Sequence, residues 1–175
     1  NMNKILFTLL LTLSSQLWAQ VLISPIDAMK ENYDLNATVM KKNVLLSKAK
    51  FQNIQKNAAA KLDTKIYRIY TATRADKVLG YGILINRKVR SKNTVVLYFI
   101  KDAILLNIEI IAFNEPLEYI PTKKWNSQFK NIKTDTMLQL NRDIPSVTGA
   151  TMSARSVTDG SRIAFAIYNE LLKGK

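Results

Sequence analysis

Ile66-Tyr67-Arg68-Ile69-Tyr70-Thr71-Ala72-Thr73 is the first of four segments rich in β-branched and aromatic residues; Val78 to Ile85, Thr94 to Ile100 and Ile104 to Phe113 follow it. Such residues suit a pleated, half-buried surface, and each segment is bounded by charged or turn-forming residues. Arg74-Ala75-Asp76-Lys77 can reverse the chain, Arg90-Ser91-Lys92-Asn93 is polar, and Lys101-Asp102-Ala103 is tight. Connections this short join antiparallel neighbours, so the stretch predicts an antiparallel meander. In its last strand Leu106, Ile108, Ile110 and Ala112 share one face, and Asn107 and Glu109 share the other. The apolar face is expected to pack on a helix.

Helical patterns lie on both sides of the meander. Upstream, Ser24-Pro25 is a helix start: serine accepts from free first-turn amides, proline fits the first helical position, and Asp27 adds a favourable charge. That helix is expected to reach about Tyr33. A second runs from Ser47 to Leu62, with Phe51, Ile54, Ala58 and Leu62 on one face. Downstream, Pro116 and Pro121 bracket a loop, and Trp125 and Phe129, four apart, suggest one or two helical turns. Asn131 to Ser146 is a polar loop long enough to be functional. The final helix is expected from about Ser153 to Leu172, with Val157, Ala164, Tyr168 and Leu171 in one stripe and Ile163 and Ile167 beside it. Gly160 inside it costs about 1 kcal/mol relative to alanine. These elements predict a single α+β domain: an antiparallel twisted sheet of about four to six strands packed with N-terminal and C-terminal helices.

The chain divides into residues 1–19, a leader; 20–65, an N-terminal helical segment; and 66–175, the sheet and final helix. Lys4 followed by the apolar stretch Ile5 to Leu13, with Ala19 before Gln20, has the pattern of a secretory signal. Export to the periplasm or cell envelope is expected. Leu17 is larger than the usual residue before a cleavage site, so an uncleaved N-terminal membrane anchor stays open, although the run is shorter than the about 20 residues of a span. Cysteine and histidine are both absent. That excludes disulfides, thiolate metal sites, covalent haem and imidazole acid-base chemistry, so a redox role must rest on an organic cofactor. The formal net charge is +13, and loss of Lys4 with the leader leaves about +12. The basic residues are spread in ones and twos rather than gathered in an arm, which together with export argues against nucleic acid as the partner.

Thr148-Gly149-Ala150-Thr151-Met152-Ser153 stands immediately before the final helix. Helix starts attract phosphate through free N–H groups and the positive end of the dipole, and small residues allow close approach. Both threonine hydroxyls can donate to phosphate oxygens or become esterified. On these residues alone a plain N-cap by Thr151 or Ser153 is the favoured reading, with a phosphate site as the alternative.

Three stretches resemble a known family, the FMN-binding domain of the flavinylated subunits of Rnf-type and sodium-pumping quinone reductase complexes and of related exported flavoproteins. They are Val147-Thr148-Gly149-Ala150-Thr151-Met152-Ser153-Ala154, similar to the family's Ser/Thr-Gly-Ala-Thr motif; Trp125-Asn126-Ser127-Gln128-Phe129-Lys130; and Asn114-Glu115-Pro116, preceded by Gly80-Tyr81-Gly82. The resemblance spans roughly residues 67–172. It implies an exported electron carrier holding FMN as a phosphoester on Thr151, attached by a flavin transferase that cleaves FAD. It further implies cofactor contacts from Thr148, Gly149, Ala150, Met152, Ser153 and Glu115, with Arg155 near the phosphate and Tyr81, Trp125 and Phe129 either flanking the ring or packed in the core. Membrane or periplasmic electron donors and acceptors are the implied partners. Pro145 stands where many members have aspartate, with Asp143 two residues further back, and Leu117-Glu118-Tyr119 replaces a glycine-rich continuation. Two other readings are a flavin-dependent reductase component working with a partner, and a flavin-free basic binding module that keeps the fold.

Overall fold

From residue 66 onward, strand pairing follows chain order. The computed structural model describes residues 20–89, 92–114 and 117–174. Its main strands are β2 (Thr38–Leu45), β3 (Ile66–Arg74), β4 (Lys77–Val89), β5 (Lys92–Lys101) and β6 (Ile104–Phe113), with two-residue strands β1 (Gln20–Val21) and β7 (Ile132–Lys133). They form one sheet in the order β1-β6-β5-β4-β3-β2, antiparallel throughout, with β7 also pairing β6. Helices α1 (Pro25–Asn32), α2 (Lys48–Ala58), α3 (Lys123–Asn126) and α4 (Thr151–Leu171) complete the α+β domain. The expected leader, residues 1–19, and Glu115 lie outside the described residues. Among those described, no helix is long and apolar enough to cross a membrane.

Two of the expected turns are two-residue hairpins. Ala75 and Asp76 have φ of 48° and 60°, and Asp102 and Ala103 have φ of 49° and 59°. Two left-handed central residues give the turn whose twist matches that of the flanking strands.

Residues 20–65 are not purely helical. Between α1 and α2, β2 pairs with β3 from Thr38↔Thr73 to Leu45↔Ile66, and its side chains are mostly exposed because it is an edge strand. An edge strand has little need of apolar alternation, and Lys41-Lys42-Asn43 hides its character. Helix α2 stops at Ala58, four residues short of the expected end, because Ala59 turns left-handed at φ 46°. Arg162 of α4 holds that end: its Nε donates to the Ala58 carbonyl at 2.8 Å and its Nη1 to the Leu138 carbonyl at 2.6 Å.

The simple alternation expected in β6 is broken twice. Val95 pairs with Ala112 and Val96 with Ile110, leaving Ile111 between; Phe99 pairs with Asn107 and Ile100 with Leu105, leaving Leu106 between. Each is a β-bulge, and the extra residue changes which side chains face which way. Leu105, Ile108, Ile110 and Phe113 join the core beneath α2 and α4, whereas Leu106 and Ile111 join the cluster beneath α1.

The sheet therefore carries two cores. The smaller centres on Met29, Tyr70, Leu97 and Phe99 under α1. Gly80 and Gly82 exist for this layer: a methyl at Gly80 would strike the Tyr33 ring, and one at Gly82 the Met29 sulfur. Tyr33 then donates its hydroxyl to the Tyr81 carbonyl at 2.8 Å.

On the other face α4 crosses β4 and β5. Small residues line its buried side, Ser153, Ala154, Val157, Gly160, Ser161 and Ala164, which lets the helix approach closely. Tyr98, fully buried, donates its hydroxyl to the Val157 carbonyl at 2.7 Å. A methyl at Gly160 would collide with that hydroxyl, and the next nearest atom is Cζ at 3.2 Å. Burial pushes the ionisation of Tyr33 and Tyr98 well above the ordinary phenol range. Tyr67 is pushed up to about 12, by burial first and the Asp63 charge second, with Arg87 acting in the opposite direction.

Gly160→Ala should destabilise the protein by about 1–2 kcal/mol in denaturant titration, overpacking outweighing the about 1 kcal/mol gained in helix propensity. Tyr98→Phe should cost about 1–2 kcal/mol for the lost buried hydrogen bond. In the double variant phenylalanine leaves room for the methyl, so the total should fall short of additivity; strict additivity would contradict the packing described. The raised tyrosines favour the neutral phenol in the folded state, so their contribution is complete below pH ~10 and is lost as pH rises. For Tyr67 the loss falls between about 10 and 12, and Tyr67→Phe should reduce the slope of stability against pH in that window.

Candidate functional site

The loop leading into α4 is tied down before the helix begins. Asp143 accepts from the Gln139 amide at 2.8 Å and pairs with Arg142 at 2.9 Å, and hydrogen bonding from Arg142 first and Gln139 second holds its carboxyl below the usual range. The Trp125 indole donates to the Pro145 carbonyl at 2.8 Å. Trp125 packs on Phe129 with ring centres 5.2 Å apart, and both are buried in the main core. Of the two roles open to these aromatics, the structure assigns core packing, with the indole N–H as a clamp on the loop. Proline at 145 suits that clamp, which uses only its carbonyl.

The chain then turns through Gly149, whose φ of 79° is a conformation glycine adopts without strain. The Ala150 amide donates to the Val147 carbonyl at 2.9 Å, and α4 starts at Thr151. Its N-cap is Ala150, and no side chain caps it. Helices α1, α2 and α3 are each capped by a hydroxyl, from Ser24, Ser47 and Thr122. The plain cap by Thr151 or Ser153 is thus not formed, and among the described residues no side chain caps the start of the longest helix.

Of the expected site residues, Thr148, Gly149, Thr151 and Met152 are exposed, whereas Ala150 and Ser153 are buried. Gly149 through Ser153 line a cleft of about 200 Å³ together with Val89, at the end of β4, and Tyr119, which follows Pro116 in a single 3-10 turn (Leu117–Tyr119). Ordinary small-molecule sites run from roughly 300 to 1,000 Å³. This one has room for a group of phosphate size, and Tyr119 on its wall is 37% exposed.

Tyr81 is not brought to this cleft. It meets Tyr168 edge-on at 6.0 Å and lines a cavity of about 490 Å³ near the other end of α4, roughly 25 Å from Thr151 by helix rise. Gly80-Tyr81-Gly82 serves the packing of α1 instead. Arg155 is exposed beside a groove shared with Arg87 and Lys88. Val89 and Tyr119 were missed from sequence. Val89 lies beyond the expected end of its strand, and an aromatic between Pro116 and Pro121 was the one available sign of Tyr119.

Among the described residues no group of three or more acidic side chains is placed to hold a metal ion. No protein-family model and no curated protein matches the chain.

Because the Thr151 side chain is exposed and caps nothing, Thr151→Ala should leave the unfolding free energy within about 0.5 kcal/mol of the parent. Gly149→Ala should cost about 1–2 kcal/mol through its positive φ alone, since nothing lies within 4 Å of the added methyl. Equal effects of the two substitutions would contradict this geometry.

Proposed function

We propose that this protein is an electron carrier of the cell envelope that holds FMN at Thr151. The observation that carries the reading is the uncapped start of α4, where the exposed Thr151 hydroxyl borders a small cleft made of glycine, alanine and hydroxyl residues. The resemblance of Thr148-Gly149-Ala150-Thr151 and of Trp125 through Lys130 to flavinylated domains supports it.

The donor set suits a phosphate monoester. First-turn amides carry the positive end of a 21-residue helix, Ser153 lines the cleft, and Arg155 stands one turn further on. Attachment would come from a flavin transferase using FAD: the bond from Thr151 Oγ1 to phosphorus forms as the bond to AMP breaks, and the hydroxyl proton is released. Bound FMN supplies the redox chemistry, and the chain supplies position and electrostatics. A cleft too small for the ring system leaves the flavin edge open to partners, which suits a carrier better than an enzyme with an enclosed substrate site. Tyr119, on the wall of the cleft, would bound the ring on one side. The bond from Trp125 to Pro145 ties the loop that leads to Thr151 to the core.

Coexpression with a flavin transferase should add the mass of one FMN less one water to the protein, and to Thr148→Ala, but not to Thr151→Ala. An unmodified mass in all three, with the transferase active on another acceptor, would defeat the covalent reading. Absence of saturable flavin quenching at micromolar concentrations would defeat flavin binding as well and leave a basic binding module.

A further inference from the structure

A second cavity, of about 140 Å³, adjoins the Thr151 cleft and shares Val89 and Met152 with it. Its walls are Arg87 and Lys88 at the end of β4 and Arg155, Ser156 and Asp159 in the second and third turns of α4. Cations outnumber the acid here, and the acid is already engaged. Asp159 accepts from Arg162 at 2.8 Å and stands 3.9 Å from Arg87. Among the described residues no carboxylate pairs with Lys88 or Arg155, both of which are exposed. Arg87 is fixed differently: Nη1 donates to the Lys61 carbonyl at 3.0 Å, its side chain is 16% exposed, and its buried Nε–H has no acceptor. Like charges confined to one groove repel, and an anion seated between them relieves that repulsion.

We propose that this groove is a second phosphate subsite, so that the start of α4 accepts a diphosphate ester: one phosphate in the Thr151 cleft and the next against Lys88 and Arg155. This rests on the placement of a phosphate at Thr151. The two cavities share Val89 and Met152 as walls and so lie side by side along the start of α4. The ligand class before esterification is then the flavin dinucleotide, of which the Thr151 ester keeps FMN once AMP has left. Guanidinium and ammonium groups form charge-assisted bonds to phosphate oxygens, and two of them at the mouth of a groove favour the extra phosphate. The adenosine beyond it would lie outside the groove, which is too small to enclose it.

The test uses Thr151→Ala protein, which cannot be esterified, titrated with FAD, FMN and riboflavin by fluorescence anisotropy and with inorganic pyrophosphate and phosphate as competitors. FAD should bind about tenfold more tightly than FMN, a preference that added salt weakens, and pyrophosphate should displace it at lower concentration than phosphate. Adding Lys88→Gln and Arg155→Gln should erase the difference between FAD and FMN, with FAD affinity falling about tenfold more than FMN affinity. Lys88→Arg with Arg155→Lys should keep it, and unchanged circular dichroism checks the fold in each. Equal affinities for FAD and FMN, or a preference for FAD that survives the glutamine pair and so comes from adenine, would overturn the subsite. If no flavin binds but pyrophosphate binds in a manner lost with Lys88 and Arg155, the subsite stands and the flavin reading fails. If no phosphate compound binds, both fail.

Discussion

The hydrogen bond from Tyr98 to the Val157 carbonyl, made possible by the missing side chain at Gly160, sets the depth at which α4 lies on the sheet. A phenol buried in the middle of β5 needs an acceptor, because an unsatisfied hydroxyl there would cost on the order of 1–3 kcal/mol. The helix backbone supplies it only if the two elements come closer than ordinary side chains allow. Everything else on that face follows the same spacing. Ser153, Ala154, Ser161 and Ala164 are small, whereas Ile163, Phe165 and Ile167 fill the space toward the flanks. Once the middle of α4 is fixed, its first turn must fall beside Val89, and Thr151 is placed at the edge of the sheet rather than over it.

The two ends of the motif loop are held by different means, and both are independent of a ligand. Trp125 fixes Pro145 from the side of α3, and Arg162 joins α4 to the end of α2 and to Leu138 in the same loop. A helix start that is exposed and, among the described residues, has no side-chain cap is open to an anion. That feature, rather than an enclosed pocket, is the physical content of the proposed flavin site.

Much of the fold was legible in the sequence, and the failures have identifiable causes. Strand β6 was found with both its ends, and Ser24 and Ser47 were identified as helix starts, because apolar runs, serine caps and tight turns leave local signals. Strand β2 left none, as an edge strand with Lys41 and Lys42 is shaped by a neighbour distant in sequence. The bulges at Leu106 and Ile111 were equally hidden, because Ile and Leu are acceptable on either face and only the partner strand decides between them. Gly160 read as a local cost and proved to be a tertiary requirement. Of the run from Thr148 to Ser153 singled out in the sequence, Gly149 to Ser153 line one cleft, but the absence of a cap was not legible, since hydroxyl residues at 151 and 153 look like caps until the backbone is seen.

The exposed edge of β2 bears on how the protein behaves when crowded. Its outward backbone groups could template another strand, and Met40 and Leu45 are 65% and 71% exposed along it. A second copy docking antiparallel about the middle of this strand would set Lys41 of each chain against Lys42 of the other. Repulsion between those ammonium groups opposes self-assembly into extended sheets, so the residues that concealed the strand from sequence reading also guard it against aggregation.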